Sequence, residues 1–258
     1  MPTSFFLTIY EINGLFTARF ILYFKKTQIV SILDRFTTQS FMTEHQIKVT
    51  RTARFYTLGE LNENTKSIWF VVHGYGQLSQ YFIKKFTQIA DSQTFIVAPE
   101  AVSKFYLDAQ YSRVGASWTT KEMRESEKIE NNSYLNSVYD KVLEGIDLSE
   151  IEVNILGFSQ GCATVGRWVG DGHIKCNRLL FWAGFFSNGI KEVIEPEMLK
   201  NIETYYVYGD KDEYLIAYPE ISEKFRAGMI ADINPKIISF EGKHTVDEAT
   251  LKMIVEGF

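Results

Sequence analysis

The chain reads as an α/β protein, with a mainly parallel central sheet covered by helices on both faces. Three observations predict this. The run Ile68-Trp69-Phe70-Val71-Val72 is continuously apolar, as in a strand buried on both sides. Segments with apolar residues at helical spacing separate such runs. The two patterns then alternate from about residue 46 onward, which favours parallel strands joined by crossover helices.

Taken in order, residues 46–57 carry Ile47, Val49, Ala53 and Phe55 on alternating positions and predict one or two opening strands. Residues 67–73 form the buried strand. Phe82, Phe86, Ile89 and Ala90 predict a helix over 79–91, and 94–98 a short strand closed by Pro99. A helix follows over 130–146, a strand over 151–156 and a helix over 160–169. Further strands are expected at 178–183, 204–208 and 236–240, with helices at 215–230 and 246–256. Ligands of such a sheet bind at the carboxyl ends of its strands. No repeat, low-complexity tract or Gly/Ser linker interrupts residues 42–258.

The 258 residues, 45% of them hydrophobic, suit one large domain with a substantial core. A net charge of −5 argues against nucleic acid as a partner, since phosphate binding calls for a basic face. The two cysteines, Cys162 and Cys176, form no C-x-x-C or zinc-type cluster and read as reduced, packed thiols of a cytosolic protein. Residues 1–41 differ from the rest, with nine aromatic residues and six charges. Glu11, Asn13 and Arg19 interrupt their apolar stretch, so neither a membrane span nor stable membrane insertion is expected, and no signal-peptide pattern is evident. They read as an extension upstream of the fold, absent from the native protein if translation starts at Met42.

The chemistry centres on Gly157-Phe158-Ser159-Gln160-Gly161, directly after the apolar run 151–156. This is G-x-S-x-G at a strand end, the setting of a nucleophile elbow, in which a sharp strand-to-helix turn projects the serine into a cleft. A helix cap at Ser159 is the simpler alternative. A serine nucleophile needs a base, and the base an orienting acid. In α/β-hydrolases these follow in the order serine, acid, histidine. His45 and His73 precede Ser159, and His173 follows it by 14 residues with no strand between to carry an acid. His244 remains, on the loop after the last expected strand. The acid belongs on the loop after the preceding strand, where Gly209-Asp210-Lys211-Asp212-Glu213 offers three carboxylates. Asp212 is preferred to Asp210, which is near enough to the strand end to serve the turn, and Glu213 ranks third. For the oxyanion, the candidate donors are the backbone N–H groups of Gln160 and of Tyr75, in the glycine-rich turn His73-Gly74-Tyr75-Gly76-Gln77. That turn lacks the Lys-Ser/Thr ending of a phosphate loop. Cys162 is assigned to helix packing. Residues 99–134 are open: Phe105, Tyr106, Tyr111 and Trp118 could line or cover an acyl pocket, or pack in the core.

The motifs H-G-Y-G-Q at 73–77, G-F-S-Q-G at 157–161, G-D-K-D at 209–212 and His244 together resemble the phospholipase/carboxylesterase family of α/β-hydrolases, which includes acyl-protein thioesterases. The resemblance spans most of residues 66–258. It implies an α/β-hydrolase fold, a triad of Ser159, Asp212 and His244, oxyanion donors at Tyr75 and Gln160, and no metal or other cofactor. The expected activity is hydrolysis of a small carboxylic ester of short or medium acyl chain, because no extended apolar lid is evident. A thioesterase or lysophospholipase is the alternative, and a catalytically silent hydrolase fold used for binding is the rival from another class. Acyl-protein thioesterases usually follow the acid with a proline, whereas Asp212 is followed by Glu213 and Tyr214, which weighs against a thioesterase.

Overall fold

A computed structural model describes Thr8–Ile12, Leu15–Arg19 and residues 42–257. The chain divides into two compact units, Met1–Thr50 and Arg51–Phe258. In the first, strands β1 (Thr8–Ile12) and β2 (Leu15–Arg19) pair antiparallel, with Thr8 opposite Arg19, and residues 42–50 have no regular secondary structure. The extension expected over residues 1–41 otherwise lies outside the described residues.

The second unit holds a seven-stranded sheet. Its strands are β3 (Phe55–Leu58), β4 (Ser67–Val72), β5 (Thr94–Pro99), β8 (Glu152–Phe158), β9 (Arg178–Trp182), β10 (Glu203–Gly209) and β11 (Lys236–Phe240). Their order across the sheet is β11-β10-β9-β8-β4-β5-β3, parallel throughout except that β3 runs antiparallel to β5. The chain steps from β4 outward to β5, then returns past β4 to β8 and continues outward on the other side. The strand order therefore reverses between β4 and β8, where the crevice at the carboxyl ends is the usual ligand position.

Alternate residues of every strand but the edge strand β11 feed two cores. Ile68, Phe70 and Val72 pack with α2 (Arg124–Val142), α3 (Gln160–Gly170) and α5 (Pro219–Ile233) through residues such as Leu135, Trp168 and Met229. Trp69 and Val71 face the opposite core, which Phe82, Phe86 and Ile89 share with Leu251 and Ile254 of α6 (Glu248–Glu256). Burial on both faces explains why β4 reads as an unbroken apolar run.

Several local expectations are corrected. Residues 46–54 form no strand: β5 ends at Pro99, which pairs with Phe55, so the strand expected to open at residue 46 starts only at Phe55. Ile47 and Val49 are accordingly exposed. The helix expected at 79–91 is one α turn, α1 (Ser79–Phe82), continued by a 3₁₀ segment, Ile83–Ile89, which still buries the expected Phe82, Phe86 and Ile89. The helix expected at 215–230 is two, α4 (Glu213–Ala217) and α5, because Pro219 lacks an N–H and must start a helix rather than continue one. α2 starts at Arg124, earlier than expected, with Glu125 and Glu127 in its first turn, where the helix dipole favours them. The undecided segment contains an antiparallel hairpin, β6 (Ser103–Tyr106) and β7 (Val114–Ser117).

Candidate active site

β8 runs directly into α3 through Ser159, whose backbone sits at φ 53° and ψ −117°. Two glycines make that turn fit. A Cβ on Gly157 would lie 2.6 Å from the Gly161 carbonyl oxygen and 2.6 Å from Val165 Cγ2, and one on Gly161 would lie 2.3 Å from the Val72 carbonyl oxygen. All three distances are shorter than any tolerable contact, so G-x-S-x-G here is a steric requirement of bringing α3 back across β8 and β4. The Ser159 N–H donates to the Trp182 carbonyl of the neighbouring strand at 2.8 Å. No side-chain capping bond is made by Ser159, so the cap alternative falls.

The structure brings Ser159, His244 and Asp212 together. His244 Nε2 lies 2.9 Å from Ser159 Oγ, and its Nδ1 lies 2.7 Å from Asp212 Oδ2. A carboxylate beside Nδ1 holds the proton on that nitrogen, which leaves Nε2 as the acceptor for the serine hydroxyl. Asp212 is buried, and it caps α4 by accepting the Tyr214 N–H on Oδ1 at 3.0 Å, so its second oxygen is aimed at the imidazole. The imidazole lies between the rings of Phe158 and Tyr214, at centroid distances of 4.9 and 4.8 Å. Its loop is anchored by Trp182 Nε1, which donates to the Thr245 carbonyl at 2.8 Å. Asp210 instead accepts the Gly242 N–H at 3.0 Å and ties its own turn to the histidine loop. Glu213 is exposed at the start of α4.

The turn after β4 abuts the elbow, since a Cβ on Gly74 would stand 3.1 Å from Ser159 Cβ. Among the described residues, the backbone N–H groups of Tyr75 and Gln160 donate to no acceptor in the chain. His73 is fully buried. Its Nε2 accepts the Ala101 N–H at 3.1 Å, so Nδ1 is the protonated nitrogen and donates to the Gly74 carbonyl at 2.7 Å. Desolvation lowers its pKa to about 4, and the ring is neutral. Cys162 is buried behind the elbow with Sγ 2.9 Å from the Gly157 carbonyl, and burial raises its pKa, in keeping with packing rather than nucleophilic use.

The pocket residues expected in the hairpin region are corrected. A cavity of about 590 Å³ opens at Ser159, lined by Phe185 and Phe186 after β9, Leu215 of α4, Ile221 of α5, and Arg124, Arg167 and Glu192. Phe105, Tyr106 and Trp118 do not line it. Trp118 is buried, donating its Nε1–H to the His73 carbonyl at 2.9 Å, because an indole N–H inside the core requires an acceptor. The Phe105 ring stacks on Tyr75 at 4.9 Å, while Tyr106, on the opposite side of β6, is exposed and meets Tyr111 edge-on. Trp118 and Phe105 thus brace the turn at 73–77. The Gln160 side chain had no role in the sequence reading. Its Nε2 donates to Ser117 Oγ at 3.1 Å and the Thr119 carbonyl at 2.8 Å, and its Oε1 accepts the Trp118 N–H at 3.0 Å. No local pattern marks such a link, because its partners lie more than forty residues away.

Among the described residues no group of three or more His, Cys, Asp or Glu is placed to hold a metal ion, and no helix is long and apolar enough to cross a membrane.

Among solved structures the chain is similar to acyl-protein thioesterase 2 of Zea mays, with 13% identity, a TM-score of 0.59, and coverage of 80% of this chain and 97% of that one. It is also similar to SOBER1 of Arabidopsis thaliana, with 19% identity, a TM-score of 0.52, and coverage of 74% and 97%. Esterase PE8 gives 18% identity, a TM-score of 0.51, and coverage of 80% and 99%. At these identities the likeness establishes the α/β-hydrolase fold, in agreement with the resemblance read from the motifs. No curated protein matches the sequence at a significant level. Residues 64–252, which span the elbow, the acid turn and the histidine loop, match the serine hydrolase (FSH1) family, and the chain belongs to that family.

Proposed function

We propose that this serine hydrolase cleaves carboxylic esters of short or medium acyl chain through an acyl-enzyme. The observation that carries the reading is the unbroken relay from Ser159 Oγ to His244 Nε2 at 2.9 Å and from His244 Nδ1 to Asp212 Oδ2 at 2.7 Å. In this reading Ser159 Oγ attacks the acyl carbonyl while His244 Nε2 takes its proton. The imidazolium then gives that proton to the departing alcohol. A water molecule, deprotonated by the same nitrogen, attacks the acyl-serine, and the proton returns to Ser159 Oγ as the acid leaves. Asp212 holds the imidazole tautomer and offsets its transient charge. The free N–H groups of Tyr75 and Gln160 are the oxyanion donors, the latter at the N-terminus of α3, where the helix dipole adds to their effect. The cavity of about 590 Å³, walled in part by Phe185, Phe186 and Leu215, suits a short or medium acyl chain.

Turnover of p-nitrophenyl acetate and butyrate by the wild type and by Ser159→Ala tests the reading. A loss of at least roughly a thousandfold in kcat is expected. Equal rates in the two proteins would refute it, and absence of turnover in both would favour a binding role. A chain-length series of oxygen esters and thioesters separates esterase from thioesterase.

A further inference from the structure

The cavity beside Ser159 contains a charge that ester hydrolysis does not use. Ser159, Ala163 and Arg167 line it together, because positions four apart on α3 share one face. Arg167 is half-buried, and its Nε is shielded from solvent without a hydrogen-bond partner among the described residues. Burial, with Arg124 nearby, lowers its pKa. Glu192 and Glu125 are near enough to offset part of that shift, but each forms its ion pair with another cation. Glu192 pairs with Arg124 at 3.0 Å and accepts the Asn188 N–H at 3.3 Å, Glu125 pairs with Lys128 at 2.7 Å, and Asp212 faces His244. A guanidinium in the wall of a cavity that Phe185 and Phe186 also line is costly to desolvate, and an anion offsets that cost. Its planar fork matches a carboxylate or phosphate with two parallel hydrogen bonds.

We propose that Arg167 determines specificity, selecting esters that carry an anionic group, carboxylate or phosphate, several bonds from the scissile carbonyl. This deepens the esterase reading and rests on it. From Ser159 to Arg167 the helix rises by about 12 Å, and the arginine side chain leans back toward the helix N-terminus. The anion is therefore separated from the reacting carbon by roughly the length of a medium acyl chain. The charge could sit on the acyl group or on the alcohol, and both place an anion at that distance.

The test compares kcat/KM within two ester pairs, monomethyl adipate against methyl hexanoate for an acyl-borne carboxylate, and butyryl-glycerol 3-phosphate against butyryl-glycerol for an alcohol-borne phosphate. The wild type should favour the anionic member of one pair by at least roughly tenfold, and the pair that responds identifies the side on which the charge lies. In Arg167→Gln that ratio should fall toward one, while Arg167→Lys should retain part of it. A merely structural role would slow both members alike and leave the ratio unchanged. No preference in either pair, or a preference that persists in Arg167→Gln, overturns the inference. Calorimetric binding of the same esters to Ser159→Ala, with and without Arg167→Gln, reads the anion site without turnover. Arg167-dependent binding of the anionic esters in a protein that hydrolyses none of them would sink the esterase reading alone. Turnover without discrimination would sink the inference alone.

Discussion

Ser159 is held at φ 53°, a region that costs a non-glycine residue on the order of 1–3 kcal/mol. The strain is sustained because its N–H is committed to β9 and the glycines two residues to either side, Gly157 and Gly161, let α3 pass over β4. The two aspartates two residues apart show how position decides role. Asp210 accepts the Gly242 N–H of the histidine loop, while Asp212 directs one oxygen to the Tyr214 N–H and the other to His244. Asp212→Asn should therefore lower kcat on a p-nitrophenyl ester by as much as roughly 10⁴-fold, through the wrong imidazole tautomer, with little change in KM. Asp210→Asn should cost far less. Steady-state kinetics of the pair checks this, and equal losses would remove the assignment of Asp212. The preference for Asp212 was legible from distance to the strand end. Its capping of α4 was not, because that helix is a single short turn cut off by Pro219.

Among the elements, the β6–β7 hairpin departs most from its sequence reading. Its aromatics could line or cover a pocket, because the segment follows a central strand, or pack in the core; Trp118 is packed in the core, and it and Phe105 brace the turn at 73–77. Gln160 joins this hairpin to the elbow with three hydrogen bonds, one of them from the Trp118 N–H. Gln160→Ala keeps the backbone N–H at that position but leaves the Trp118 donor unpaired, which should cost about 1–3 kcal/mol of stability. Chemical denaturation measures the loss, and hydrogen exchange should quicken in β7 more than in β8. An unchanged midpoint would show that the link is incidental. Strands buried on both faces were the most legible elements, since continuous apolar runs leave few alternatives. The 3₁₀ segment at 83–89 shares its inward positions with an α-helix and could not be told from one.

Across the whole molecule, the reversal of strand order between β4 and β8 brings the His73 turn and the Ser159 elbow to one crevice, and β10 and β11 deliver Asp212 and His244 to the same edge. His73 fills the base of that crevice as a neutral, buried ring beside Glu100. Burial alone would raise the Glu100 pKa, but ion pairs with Arg54 and Lys104 outweigh it and hold the carboxyl below its ordinary range. His73 titrates near 4 when folded and near its ordinary 6.5 when unfolded. Between those values the unfolded chain binds more protons, so stability should be fully present above about pH 6.5 and fall by about 3 kcal/mol as pH drops toward 4. Denaturation midpoints across that range measure the slope, and His73→Gln should flatten it above pH 4.5, where Glu100 contributes little. A parallel slope in the variant would assign the acid lability to other groups.

The order of motifs along the chain determined the fold class, the elbow serine and the histidine, because strand burial, the glycine contacts of a tight turn and the sequence of loops are local properties. Tertiary structure alone decided which side chains wall the cavity, that Gln160 binds a distant hairpin, and that Arg167 lines the same cavity as Ser159 with no ion-pair partner among the described residues. These depend on contacts between residues far apart in sequence, whose distances are set by packing rather than by spacing along the chain.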